Sequence, residues 1–173
     1  MAKTKGIDVS KWQGEIDWKK VKYSGIIFAI IRAAAGQKKD KKFISNIKNA
    51  TKAGILCGVY LYSYATTIAE AKAEAEFLLN IIKPYKITYP VYYDIEDTVQ
   101  ARLTNAQRTD LICAFCNTIQ KNNYIAGIYA STSWFKNKFN LNRLKKYEKW
   151  IAQWYTTSPS YDGAYGMWQY SSK

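Results

Sequence analysis

The segment Gly25-Ile-Ile-Phe-Ala-Ile-Ile-Arg32 carries no polar side chain until its last position. A strand wetted on one face alternates apolar and polar residues, so an unbroken run marks a strand covered on both faces. Leu56 to Tyr64 and Tyr89 to Ile95 have the same character. Helical patterns lie between these runs. Asp40 is placed to N-cap a helix with Phe43, Ile44, Ile47, Ala50 and Thr51 on one face, and Gly54 suits its C′ position. Thr67-Ile-Ala-Glu70 and Thr104-Asn-Ala-Gln107 are capping boxes. The first opens an Ala-rich helix stopped at Pro84; the second opens one with Leu111, Ile112, Phe115, Cys116 and Ile119 facing inward. Further strands are expected at 6–10, 124–130, 149–154 and 165–170, with helical turns at 16–23 and from Ser131. Strands buried on both faces and alternating with helices predict an α/β fold with a parallel, barrel-like sheet of seven strands. No linker or repeat interrupts the 173 residues, a length that fits one domain.

The chain contains no His. That removes Ser-His-Asp and Cys-His nucleophile systems, His-ligated zinc and the facial triad. A general acid or base must be Asp, Glu, Lys, Tyr or Cys. Asp and Glu number only 13 against 26 Lys and Arg, so the acids are quickly searched. The net charge of +13 predicts attraction to a polyanion, whether nucleic acid, an anionic membrane surface or an anionic wall polymer. The basic residues fall in short clusters such as Lys38-Lys39 with Lys41-Lys42, without a long basic tail. Cys57, Cys113 and Cys116 are odd in number, and Cys113-Ala-Phe-Cys116 lies in a helical pattern, so they read as core thiols. Residues 1–5 lead into a strand with no apolar segment resembling an export signal, and no run is long and apolar enough for a membrane helix.

In parallel α/β folds the working side chains stand at the carboxyl ends of strands. That filter retains Asp8, Arg32, Tyr62, Tyr64, Asp94, Glu96, Asp97, Tyr129, Ser131, Gln153, Trp154 and Gln169. Asp94-Ile-Glu96 is the informative piece. At period two both carboxylates face one side, about 6.6 Å apart along a strand that rises ~3.3 Å per residue. One acid can stand near a leaving oxygen and the other near the opposite side of a sugar ring. Burial and a like-charged neighbour raise one pKa and keep a proton available near neutral pH. Tyr and Trp at neighbouring strand ends offer flat apolar faces for sugar C–H groups; others among the aromatics belong to the core.

These residues carry a resemblance. Gly6-Ile-Asp-Val-Ser-Lys-Trp-Gln-Gly14 with Ile16-Asp17-Trp18 resembles the N-terminal signature of family 25 glycoside hydrolases, the Chalaropsis-type lysozymes. Phe28 to Arg32, Gly58-Val-Tyr-Leu-Tyr-Ser63, Tyr92-Tyr-Asp-Ile-Glu96, Gly127-Ile-Tyr129, Trp150-Ile-Ala152 and Met167-Trp-Gln-Tyr170 resemble its later strands in order, with Leu61 where His is common. The resemblance implies a flattened (β/α) TIM-like barrel with fewer outer helices. It implies cleavage of the β-1,4 bond between N-acetylmuramic acid and N-acetylglucosamine, with no metal or organic cofactor. Carried over, Glu96 is the general acid, Asp94 its partner carboxylate, and Asp8 lines the catalytic centre. Tyr62, Arg32, Tyr129, Trp154 and Gln169 fall at substrate-binding positions. The family pattern continues past the W-Q-Y strand to a last strand bearing another Asp, whereas this chain ends at Ser171-Ser172-Lys173. Residues 1–173 are therefore expected to form a single catalytic domain truncated before its last strand, with an open sheet edge that invites association between copies.

Two functions are consistent with this reading. One is an endo-acting muramidase working on the bacterial wall, as a phage endolysin made without a signal peptide in the host cytoplasm would. The other is a degenerate, non-catalytic module gripping peptidoglycan or another polyanion. The expected partners are peptidoglycan strands and anionic wall polymers, with no nucleic acid and no membrane insertion.

Overall fold

Each strand expected from the sequence is present in the computed structural model, which describes residues 4–172. In chain order the elements are β1 (Gly6–Val9), α1 (Trp18–Tyr23), β2 (Phe28–Ala35), β3 (Lys38–Lys39), α2 (Phe43–Lys52), β4 (Leu56–Tyr62), α3 (Ile68–Ile82), β5 (Val91–Asp94), α4 (Thr98–Ala101), α5 (Asn105–Lys121), β6 (Ala126–Ser131), α6 (Thr132–Asn137), β7 (Glu148–Ala152) and β8 (Met167–Gln169). The sheet order is β1-β2-β4-β5-β6-β7-β8, all parallel. The sheet curls into a half-barrel, and among the described residues no strand pairs β8 with β1.

Period-two alternation sorts the strand residues into two clusters. Ala29, Ile31, Val59, Leu61, Tyr93, Ile128 and Ile151 face outward, packed with Phe43 and Ile47 of α2, Leu78 of α3 and Phe115 of α5. Phe28, Ile30, Tyr92, Tyr129, Trp150 and Ala152 face inward and fill the floor of the half-barrel. Large and small residues interdigitate there. A Cβ on Gly127 would overlap the Tyr92 ring, and one on Gly58 would press on Ile30 and the Pro90 carbonyl. Each fully buried Ile or Phe contributes roughly 1.5–3 kcal/mol.

Both capping boxes form. Thr67 Oγ1 accepts from Glu70 N–H and Thr104 Oγ1 from Gln107 N–H, each at 3.2 Å. Gly54, at φ +74°, follows α2 in the left-handed conformation expected of a C′ glycine. The three cysteines are free, with Cys57 and Cys116 buried.

Two expectations are corrected. The described sheet has eight strands, because β3 folds back antiparallel on the end of β2, pairing Lys39 with Ala34 and Lys38 with Ala35. Asp40 is not the N-cap of α2: the helix starts at Phe43, and the cap residue, Lys42, makes no side-chain cap bond. The Asp40 carboxylate turns instead to Arg32, with both Nε and Nη2 at 2.8 Å. A buried guanidinium holds an ionised carboxylate more strongly than a neutral backbone N–H does.

Candidate active site

The alternation that builds the floor also sets the residues above it. Continuing inward and upward past Ile30, Tyr60, Tyr92 and Trp150, the strands present Arg32, Tyr62, Asp94 and Ala152, with Asp8 on β1, Tyr129 on β6 and Gln169 on β8. The register aligns them: Tyr62 lies beside Asp94, Asp94 beside Tyr129, and Ala152 beside Gln169. An acidic bowl therefore opens at the carboxyl ends of the strands, over an aromatic base.

Asp94 is only 4% exposed, and its Oδ1 has no hydrogen-bond partner among the described residues. Burial, and then the charge of Glu96, push its pKa well above the usual carboxylate range, while Arg32 pulls the other way. Glu96 lies just past β5 with its side chain exposed at the mouth, yet the surrounding protein and then Asp97 raise its pKa as well. Because the two acids interact, their protons leave in two steps that belong to the pair rather than to either residue. Asp8 is likewise raised by burial, moderated by the hydrogen bond it accepts from Gln169 Nε2 at 3.0 Å.

Gln169 is the hub of the far side. Its Oε1 accepts from Tyr129 OH at 2.9 Å and from Trp154 Nε1–H at 3.0 Å. The amide orientation is thereby fixed: two donors claim the oxygen, leaving the NH₂ for Asp8. Burial raises the Tyr129 phenol far above its ordinary value, helped by Glu96, Asp94 and Asp8 around it. Tyr129 remains a neutral donor throughout the working pH range.

The near side rests on Asp97, a strand-end acid to which the sequence assigns no role. Tyr62 OH donates to Asp97 Oδ2 at 2.9 Å, and Asp97 Oδ1 caps α4 by accepting from Val99 N–H at 3.0 Å. Gln100 closes the capping box on Asp97 N–H, and its Nε2 donates to Ser63 Oγ at 2.9 Å and to the Ala65 carbonyl at 3.1 Å. Ser63 N–H donates in turn to the Asp94 carbonyl at 2.9 Å. Ser63 Oγ and Tyr93 OH both contact the buried Glu74 of α3, so a polar node behind the sheet locks the ends of β4 and β5 together. The Asp97-Thr-Val-Gln100 spacing was the available signal, since it is itself a capping box.

The structure gathers Asp8, Asp94, Tyr62, Tyr129 and Gln169 around one bowl, with Glu96 at its mouth. Arg32 is tied to Asp40 beside Asp94. Trp154 stands at the rim, 42% exposed, anchored by Gln169. Tyr60 also faces inward, with Arg32, Asp94 and Asp8 near enough to influence it, a position the period of two from Tyr62 would have indicated. Tyr64 lies past the end of β4, and Gln153 supports the Ser160 loop through Ser160 N–H at 2.7 Å.

Comparison with known proteins agrees with the fold. The model of glycosyl hydrolases family 25 matches residues 7–173. Lysozyme M1 of Streptomyces globisporus is 29% identical over 182 residues, covering 96% of this chain and 61% of that protein. The CTP1L endolysin superposes with a TM-score of 0.86 at 30% identity, over 96% of this chain and 59% of that one. The bacterial lysozyme from Streptomyces coelicolor gives 0.81 at 28% identity, over 98% and 84%. The chain spans 61% of the length of the curated Streptomyces lysozyme it matches.

Proposed function

The chain belongs to glycosyl hydrolase family 25, and on that premise we propose that it is an endo-acting N-acetylmuramidase, hydrolysing the β-1,4 bond between N-acetylmuramic acid and N-acetylglucosamine in peptidoglycan. The observation that carries the reading is the pairing of a buried Asp94, one oxygen unpartnered, with an exposed Glu96 whose proton is held above the usual range. The lysozyme and endolysin names among its relatives support it.

Glu96 is the only one of these acids that reaches the mouth, so it is placed to protonate the glycosidic oxygen as the bond to the anomeric carbon breaks. Positive charge then develops on the sugar ring, and Asp94 and Asp8 lie beneath it. The free Asp94 Oδ1 suits an N–H donor, and we assign it the substrate's 2-acetamido group. Held by Asp94, the acetamido carbonyl can attack the anomeric carbon, and water activated by the now ionised Glu96 can open that intermediate with retention. Tyr62, Tyr129 and Trp154 would bound the reacting sugars, with Gln169 fixing the last two.

A non-catalytic module would have no use for a buried carboxylate with an unpartnered oxygen beside a second acid at the mouth, so the intact carboxylates favour the enzyme. Reducing ends released from purified Gram-positive walls test the assignment. Glu96→Gln should reduce release to background while the protein still sediments with walls. Full lysis by that variant would falsify Glu96 as the acid.

A further inference from the structure

The positive charge is unevenly distributed. Twelve lysines and arginines fall between Lys5 and Lys52, against four acids. All four acids are engaged. Asp8 accepts from Gln169, Glu15 pairs with Lys42, Asp17 caps α1 at Lys20 N–H, and Asp40 holds Arg32.

Asp40 concentrates part of this charge at one place. Besides Arg32, its carboxylate accepts from Lys11 N–H at 3.2 Å and Lys42 N–H at 2.9 Å. One buried acid thus draws together the turn after β1, the end of β2 and the loop entering α2. On the outside of that junction stand Lys11, Lys38, Lys39 and Lys41, all exposed, and among the described residues none has an acid at ion-pair distance. Beside them Trp12 is 74% exposed, with Lys11 Nζ 4.5 Å from its ring centre. The cluster borders the bowl, since Lys11 follows the strand of Asp8 and β3 pairs just beyond Arg32.

We propose that the lip formed by Lys11, Lys38, Lys39 and Lys41 is a docking surface for a phosphodiester-rich anionic polymer of the bacterial wall, a proposal that rests on the reading of the chain as acting on peptidoglycan. Four ammonium groups without an ion-pair partner repel one another, with only Lys11 eased by the Trp12 ring; an anion relieves them. Lysine supplies point charges on flexible stems, suited to a mobile chain of singly charged phosphates. A nucleic-acid groove would pair such charges with a continuous row of stacking rings, whereas here the exposed rings are scattered, Trp12 beside Lys11 and Tyr64 against Gly36. Trp18 of α1 and Phe43, Ile47 and Ala50 of α2 are buried, and the exposed Tyr23 and Ile44 lie on different helices, so neither helix presents a continuous apolar face to a lipid surface. Because the lip lies outside the bowl, the polymer and the glycan can be held together, and each raises the effective concentration of the other.

The test compares the Lys38→Gln/Lys39→Gln/Lys41→Gln variant with a charge-matched control, Lys83→Gln/Lys86→Gln/Lys121→Gln, at the opposite end of the sheet. Sedimentation is measured across a salt series with native walls and with walls stripped of phosphodiester polymers by hydrofluoric acid. The lip variant should lose about fivefold or more in affinity for native walls, with a shallower salt dependence, and match the parent on stripped walls. The control should bind native walls like the parent. Equal losses in lip and control variants would overturn the docking surface, as would a loss of the same size on stripped walls. Displacement of the parent from native walls by duplex DNA, at lower phosphate than poly(glycerol phosphate) requires, would overturn the choice of partner. Reducing ends are read in the same stripped-wall samples. Their absence with the parent overturns the hydrolytic reading, an outcome separate from loss of discrimination between the variants.

Discussion

Gln169 Nε2 donates to Asp8 Oδ2 at 3.0 Å, joining β8 to β1 where the backbone does not. The described residues close the bowl at this point through a side chain rather than a strand ladder. Gln169→Leu should therefore act at both ends. Asp8 loses the hydrogen bond that moderates its raised pKa, and Tyr129 and Trp154 lose their acceptor. Leaving these groups unpaired should lower stability by about 1–3 kcal/mol and reduce turnover. Gln169→Glu should be worse than Leu at neutral pH, because it sets a second carboxylate against Asp8. Thermal unfolding and reducing-end assays on both variants provide the check.

Asp97→Asn separates positioning from proton control. Glu96 is faced by Asp94 of β5, by Tyr62 and Tyr129, and by Asp97, whose charge helps keep it protonated. Asparagine can still cap α4 but carries no charge. The Glu96 pKa should fall, moving the alkaline limb of the kcat/KM profile to lower pH by up to about one unit. A limb that stays in place while activity falls uniformly would reduce Asp97 to a structural cap.

Asp94→Asn should trade activity for stability. The folded-state pKa of Asp94 lies well above the ordinary aspartate value of 3.8, because the side chain is buried beside Glu96. Below 3.8 both folded and unfolded states hold the proton, and no penalty exists. As pH rises past that value the unfolded chain ionises first, so the folded state loses ground until Asp94 itself ionises. The variant should be more stable than the parent near pH 7, the difference shrinking to nothing near pH 3. Melting temperatures across that range decide it, and a constant difference between variant and parent would contradict the linkage.

Asp40→Ala should be among the most damaging changes outside the bowl. It strands the Arg32 guanidinium, whose side chain is 13% exposed, and deprives Lys11 and Lys42 of an acceptor for their N–H groups. Removing one partner of such a pair destabilises by about 3–5 kcal/mol. Urea denaturation should show the full loss for Ala and a smaller one for Asp40→Asn, which keeps the shape and some of the bonds.

Much of this is legible in the amino-acid sequence. Doubly buried strands announce themselves because both neighbouring layers demand apolar side chains, as at Phe28 to Ile31. Capping boxes such as Thr67 to Glu70 are local and use few residues, so they read directly. Asp94 and Glu96 emerged from the same alternation that builds the floor. The misses are contacts distant in sequence or too short to carry a period. Two lysines cannot display a strand pattern, so β3 was invisible. Asp40 sits at a helix entrance, and only the approach of Arg32 eight residues earlier shows what its carboxylate holds. Asp97 was noted as a strand-end acid, but its hold on Tyr62 spans 35 positions and exists only once β4 and β5 lie side by side.

The interleaving of inward and outward residues along each strand has a hereditary consequence. Tyr93 and Asp94 are adjacent in the chain, yet one braces the helices and the other serves the bowl. A substitution alters one face at a time. An insertion or deletion of a single residue within β5 exchanges the two faces at once, placing a phenol where a carboxylate must stand and a carboxylate in the oily layer. Length variation among descendants of this chain should accordingly collect in the connections, such as 153–166, while the strands keep their residue count.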